Sequence, residues 1–596
     1  MVTMTQRRLF RVEKWKRVLV AIVLSGLSAG LAWPVGAEPG PLPFSPTITA
    51  MSAEIDRSMK KLRLMDYEPP YFMSARLLDV ESISLMGRFG AVIQNSRDHR
   101  KYLSVEVRVG DYRLDNSMIN EDFDGYGLTN FTPDMELAPL DDNPEALRGV
   151  LWMLLDARYK MAISQYLKKK AQKVYEVETP QPNDFSHEIG YQYQGVLPDL
   201  TLDLAKWQAA IRQVTGLYRE YPDILGVAME VEASRERMSF VNSEGSRIET
   251  SELLYSINIK AQAYAEDGTV IPNYSNVYFR AESQLPPTAE LIQKTRTLIT
   301  DLEKLKAAHM LDPSNVPAIL MPDAAGVLFH EAIGHRLEGE RQRREGEGET
   351  FKAKVGEKII PDFLSVSDDP SLEVLDGIYL NGYYRYDYEG IPGQKVILIE
   401  HGILKNFLLS RTPILGFDHS NGHGRSTASQ QPQGRMSNLI VKSALELPDA
   451  ELKKRLMALC REQGKPFGVR ITSISGGETN TATFGFQAFK GLPLMVYKVD
   501  AQTGAETLVR GVEIVGTPLI SVNNIVATGQ KSQVFNGFCG SESGYVSVST
   551  IAPSLLIKQI ELQRSSRQKD RPPILKAPVF DSGSPKKDSG GLGRTL

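Results

Sequence analysis

Apolar residues recur at spacings of three and four in several stretches of the chain. From Ala50 to Leu64 the positions Ile55, Met59 and Leu62 share one face and predict an amphipathic helix. A longer helix is expected from Pro144 to Val174, with Asn143 placed to cap it ahead of Pro144. Two more are expected over Leu202 to Tyr218 and Thr288 to His309. Between them the period drops to two, and Lys101 to Arg108 and Tyr255 to Lys260 read as half-buried strands. Beyond the segment Ala318 to Gly339 the chain changes character. Strand-like runs dominate there, including Val396 to Ile399 and Leu404 to Leu409 on either side of a turn at His401-Gly402. The expected fold class is α+β, a mixed α/β N-terminal domain followed by a largely β C-terminal domain. The boundary falls near residue 312, giving domains over 38–311 and 312–563. The stretch from 564 to 596, rich in Ser, Lys, Pro and Gly, reads as a disordered tail. No internal repeat is visible.

The N-terminus carries an address. Arg7, Arg8, Arg11, Lys14, Lys16 and Arg17 precede an uncharged, 16-residue run from Val18 to Trp33, which ends at Pro34-Val35-Gly36-Ala37. A basic region, a short apolar core and a small-x-small site make residues 1–37 a cleaved secretory signal peptide, and the run is shorter than the roughly 20 residues that span a bilayer. The expected location is the periplasm or the exterior. The other reading of the same residues is an uncleaved signal anchor, which would be the chain's one link to a membrane. Arg7-Arg8 also hints at twin-arginine export. Composition removes other classes: 69 Lys and Arg against 72 Asp and Glu leave a net charge of −3, which gives no drive toward nucleic acid. Two cysteines in 596 residues cannot form a disulfide framework.

The candidate chemistry is concentrated in Gly326 to Glu340, where His330, Glu331 and His335 spell H-E-x-x-x-H in an apolar setting. In H-E-x-x-H zinc sites the ligands at i and i+4 lie about 40° apart around the helix, and the glutamate reaches the water that the metal activates. Here the second histidine comes one residue later, about 140° round an ideal helix. A one-residue π-bulge would bring the two rings together, and Gly334 makes that distortion cheap. The competing reading is an amphipathic helix with two core histidines and a surface glutamate. A zinc site also needs a third protein ligand. Glu338, Glu340, His401, His419, His423 and the two cysteines are candidates. Cys460 has the spacing of helical core, whereas Cys539 sits in the glycine-flanked Asn536-Gly537-Phe538-Cys539-Gly540-Ser541. A Cys460–Cys539 disulfide, permitted in an oxidising compartment, would exclude thiolate ligation.

The segment His330 to Gly339 closely resembles the active-site motif of the TldD/PmbA metallopeptidase family, in its TldD branch. Further agreements follow in order: Asp387 to Gln394, Gly402 to Lys405, Gly422-His423-Gly424-Arg425, Arg435 to Asn438, Gly516 to Leu519 and Gly537 to Gly540. The resemblance implies a zinc peptidase with His330, His335 and Cys539 as metal ligands and Glu331 as general base. It also implies a substrate of flexible or unfolded peptide, and a dimer with a second copy or with a related subunit. His423 and Arg425, in the matching Gly-His-Gly-Arg segment, become candidates for substrate contact, beside the alternative that they only brace a loop. Two other functions remain open at this point. One is a non-catalytic, peptide-binding partner subunit. The other is a zinc amidase acting on cell-wall peptides.

Overall fold

The computed structural model describes residues 43–117, 135–173, 181–343, 350–481, 488–565, 573, 575 and 577–581. The expected signal peptide, and most of the expected tail, lie outside the described residues.

The first half of the chain builds a seven-stranded sheet. Its strands are β1 (Pro70–Arg88), β2 (Ala91–Val109), β3 (Met135–Leu137), β4 (Gln192–Gln194), β5 (Ile224–Asn242), β6 (Arg247–Tyr264) and β7 (Val270–Phe279), in the order β3-β2-β1-β5-β6-β4 with β7 also on β6. The long strands β1, β2, β5, β6 and β7 run antiparallel to one another, short β4 joins β6 in parallel, and the two anticipated strand segments fall inside β2 and β6. Phe89 and Gly90 both take positive φ between β1 and β2, the two-residue turn whose twist matches a hairpin.

Four helices cover one face. In α1 (Pro46–Lys61) the Ser45 hydroxyl accepts from the Ile48 amide at 3.2 Å and Pro46 occupies the first turn, so the helix starts before its apolar periodicity does. In α2 (Pro144–Lys173) the Asn143 carboxamide oxygen accepts from the amides of Glu145 and Ala146, as its position suggested. With Met73, Ala75, Leu77 and Leu103 these two helices form one core. The other two, α3 (Leu204–Gly216) and α4 (Thr288–Ala307), close a second core over Leu85, Val231 and Ile257. Residues of opposite parity, Leu78, Met238, Phe240 and Ile248, face the other way and pack against Tyr386, Tyr388 and Ala428.

The second half is organised on a 13-stranded sheet. At its centre the strand Ser314–Leu320 runs antiparallel to Gly544–Arg564 and parallel to Phe467–Thr479. Helix α5 (Pro322–Ala332) follows directly, and its Val327, Leu328, Phe329 and Ala332 enter the largest core with Ile471, Val548 and Leu555. The long hairpin Ile525–Ser541 and Gly544–Arg564 brings Cys539 opposite Val546. One expected strand is nearly absent. Of Leu404 to Leu409 only the first residue lies in a strand, Ile403–Leu404, and Leu408 forms an isolated parallel bridge with Glu338. The Asn421 side chain takes over the backbone further on, accepting from the Leu409 amide at 2.9 Å and donating to the Phe407 carbonyl at 2.8 Å. Leu408 bonds instead to Leu337 and Gly339, bracing the segment after α5. Among the described residues no helix is long and apolar enough to cross a membrane.

Candidate metal centre

The last turn of α5 presents His330 and Glu331. The expected π-bulge does not form. The α-helix ends at Ala332, Ile333 sits at φ −118° and ψ −52°, and Gly334–Leu337 continues as a 3₁₀ turn. That change of winding corrects the 140° mismatch and turns His335 back beside His330, ring centroids 5.0 Å apart and perpendicular. Gly334 is required for a reason its backbone freedom does not capture: a Cβ there would lie 2.0 Å from Sδ of the buried Met436.

Cys539 closes the cluster from the hairpin. Its Sγ lies 3.2 Å from Nε2 of His330 and 3.4 Å from Nε2 of His335, and the three donor atoms all fall within 4.8 Å of one another. Two nitrogens and a sulfur around one tetrahedral zinc stand about 3.3–3.6 Å apart, so the donor set fits that ion in both chemistry and spacing. The Nδ1 of His335 lies 3.0 Å from Oε1 of Glu338. A proton held there leaves Nε2 free as a donor to metal. His330 is half-buried while His335 and Cys539 are buried, so the cluster opens on one side.

The electrostatics favour the ligand form of the thiol. Burial alone would push the Cys539 thiol up, but the rings of His335 and His330 outweigh it and hold the thiol well below its usual range. His335 shows the complement: burial opposes its charge, while Cys539 and Glu338 raise its pKa well above that of a free imidazole. Burial also opposes the Glu338 charge, and His335, Arg341 and Arg435 together carry its pKa well below the usual carboxylate range. Glu331, 6% exposed, moves the other way, raised chiefly by burial, with Oε2 3.9 Å from Nε2 of His335.

Three further residues complete the centre. Arg435, fully buried, donates to the Cys539 carbonyl at 2.9 Å and to its sulfur at 3.2 Å, and lies 3.3 Å from Glu338. Arg341 donates to Glu338 at 2.8 Å and to Ser541 and Glu542 at 3.0 Å, tying the turn after α5 to the hairpin end. Arg336 donates to the Glu331 carbonyl at 2.8 Å and to Thr479 at 3.1 Å. Of these, Arg336 and Arg435 fall within the segments His330 to Gly339 and Arg435 to Asn438 that carry the family resemblance, whereas Arg341 lies outside them. The pairing of Glu338 with His335 at i+3 was the available signal for the support around the ligands.

The other candidates are placed elsewhere. His423 is fully buried. Its Nδ1 lies 2.9 Å from the Asn421 side chain and its Nε2 3.3 Å from Asp368, so it sits in the interior rather than on a substrate-facing wall. Arg425 donates to the Met436 carbonyl at 2.7 Å and stacks over Tyr384, again bracing a loop. His401 occupies an exposed turn, His419 lies 3.4 Å from Glu188, and Glu340 accepts from the Gly434 amide. Both cysteines are free. Cys460 is buried in α6 (Asp449–Glu462) among Leu452 and Leu456, its thiol pushed up to about 11 by burial. A second group, Asp79, Glu81 and His99, also has metal-ligand spacing, but Lys101 and Arg235 already engage its carboxylates.

Residues 313–564 match the PmbA/TldA metallopeptidase C-terminal domain. A metalloprotease of Archaeoglobus fulgidus is 31% identical over 270 residues, 45% of this chain and 57% of that protein. A zinc metalloprotease TldD homolog of Saccharolobus solfataricus is 29% identical over 250 residues, 41% of this chain and 51% of the relative. The chain therefore spans about half the length of these curated relatives. The solved structure of TldE from Thermococcus kodakarensis superposes with a TM-score of 0.54 at 15% identity, covering 86% of this chain and 100% of that one, a likeness of fold. The helix-borne histidines, the hairpin cysteine and the matched C-terminal domain agree in placing residues 313–564 in the TldD/PmbA metallopeptidase family.

Proposed function

We propose that the protein is a zinc-dependent metallopeptidase that hydrolyses peptide bonds in flexible or unfolded peptides. The observation that carries this reading is the convergence of His330, His335 and Cys539 beside Glu331 at the half-buried end of α5. His330, His335 and Cys539 would hold the ion. Zinc in such a site supplies Lewis acidity, polarising a carbonyl and lowering the pKa of water toward neutrality. Glu331 acts as general base, taking a proton from the attacking water and delivering it to the leaving amine. Its burial among apolar side chains keeps it basic enough for that task. Glu338 fixes the His335 ring, and Arg435 and Arg341 fix Glu338. The basic and apolar N-terminal run supports an exported enzyme, and the fold shared with TldE supports work beside a related subunit or a second copy.

The test is elemental analysis of protein purified without added metal, joined to cleavage of an unstructured peptide mixture. About one zinc per chain is expected, lost in H335A and in C539A. E331Q should retain the metal and lose turnover by about 10²-fold or more. A zinc-free wild-type protein, or an E331Q variant that cleaves at the wild-type rate, would overturn the assignment.

A further inference from the structure

Apart from the metal centre, a cavity of about 30 Å³ opens where the helix-free face of β1 and β2 meets residues 388–389 and 428–432. That is room for a few atoms, a water or two or a small polar group. Ser74, Arg76, Ser104 and Glu106 line it from the sheet, and Glu389 and Arg411 from the other side. None of these belongs to the histidine–cysteine cluster.

Arg76 is 5% exposed and Arg411 1%, and the Nε of each is buried without an acceptor. Their surroundings differ. Arg411 donates to Glu244 at 2.8 Å, and Glu106 in the same wall is taken by Arg108, also at 2.8 Å. The guanidinium of Arg76 stacks over the Tyr388 ring, 4.8 Å from its centroid, and the charges of Glu236, Glu389 and Glu106 act on it from a distance. Its hydrogen bonds go only to backbone carbonyls, that of Tyr388 at 3.2 Å and, at the limit of hydrogen bonding, those of Thr427 at 3.4 Å and Gln430 at 3.5 Å. No carboxylate pairs with it among the described residues. A buried guanidinium is normally matched by an anion, because carbonyls alone return little of its lost hydration. Its Nε–Nη2 edge, the fork that grips a carboxylate side-on, holds no strong acceptor.

We propose that this cavity binds a carboxylate, with Arg76 as its counter-ion and the Nε–Nη2 edge as its fork. The carboxylate is that of a small free acid or of a peptide end, since either presents the same planar group. Glu389 opposes it less than a free carboxylate would, because burial, and next the charge of Asp387, raise its pKa well above the usual range. The Ser74 hydroxyl lies on the same strand face and offers a further donor.

The test is calorimetric titration and thermal unfolding of the full chain with sodium acetate, with trialanine and with trialanine amide, each against chloride at matched ionic strength. Saturable binding of acetate or trialanine, but not of the amide, is expected. R76Q should weaken it at least about tenfold, the loss of a charge-assisted pair of hydrogen bonds. Binding of trialanine without acetate identifies a peptide end as the ligand, and binding of both identifies the free carboxylate. Absence of saturable binding, or equal affinity in R76Q, overturns the proposal, and the second result also reveals any acetate held by metal. Should R76Q fail to fold, R76K keeps the charge and loses the fork. Wild-type affinity in R76K then overturns the proposal, while a several-fold loss upholds it. These readouts do not depend on peptidase activity.

Discussion

Gly477 stands where a side chain has no room. A Cβ there would lie 2.7 Å from Cγ and 3.0 Å from Oε1 of Glu331, and 2.8 Å from Val327. The strand Phe467–Thr479 is irregular at this point, its register shifting between Ile474 and Gly477, and it passes over the carboxylate proposed as the general base. In G477A the extra methyl crowds Glu331 and Val327, its nearest neighbours, ahead of any of the three proposed ligands. Zinc content should stay at the wild-type value while kcat falls about tenfold or more and KM changes little, because a general base moved by a fraction of an ångström loses proton transfer before binding. Unchanged kcat, or loss of metal along with activity, would show that Gly477 does not position Glu331. The three proposed ligands stand out in the sequence because their residue types are those of metal chemistry, and the fold brings them together. Gly477 and Arg435 were not, since a glycine pressed on a carboxylate and an arginine aimed at a sulfur acquire meaning only when distant segments meet.

At the scale of elements, helix α5 followed by its 3₁₀ turn is what converts an awkward i, i+5 spacing into a cluster. The turn is held from outside by Met436 against Gly334, and by Leu408, whose amide donates to the Leu337 carbonyl and whose carbonyl accepts from the Gly339 amide, both at 2.8 Å. Overpacking at such a contact costs about 1–3 kcal/mol. In G334A that strain falls on the turn carrying His335, so zinc affinity should drop. Shortening the opposing side chain in G334A/M436A should restore part of it. Metal titration of the two single variants and the double variant checks this, and strictly additive losses would exclude the contact as the cause. The helices were largely legible because their apolar spacing survives burial; α2 and α4 start where the pattern says. The failed strand after Leu404 and the missing π-bulge share a physical origin. In both, a side chain remote in sequence, Asn421 or Met436, decides how the backbone is satisfied or bent.

At the scale of the whole molecule, the two sheets meet at two places, where Leu494 and Met495 enter the core under α3 and α4 and where the segment Asp387 to Ile391 packs on the helix-free face. Gly390 takes φ +79°, and a Cβ there would come within 2.5 Å of the Phe240 ring, so the segment is wedged against the open face of β5. The family resemblance includes Asp387 to Gln394 without assigning it a role, and this junction gives its first residues one. Two acidic side chains lie buried in the wedge. Burial pushes the Asp387 carboxyl up to about 6, partly offset by amide bonds from Ile391, Gly424 and Glu389. Burial, and then the Asp387 charge, raise Glu389 well above the usual carboxylate range. Both folded-state values exceed the roughly 4 of an unfolded carboxyl, so the folded protein holds these protons longer than the unfolded chain. Their contribution to stability is fully present below about pH 4 and is lost as pH rises through about 6 and above. E389Q keeps an acceptor for the Arg411 amide, which now bonds Glu389 Oε2 at 2.7 Å, and removes one of the two titrations. Between pH 5 and pH 8 the stability of E389Q relative to wild type should therefore rise, by on the order of 1 kcal/mol or more. Taking the difference between the two proteins cancels the titrations of the metal centre, which both share. Denaturant unfolding at pH 5, 6.5 and 8 measures it, and parallel curves would mean that this junction does not titrate across that range.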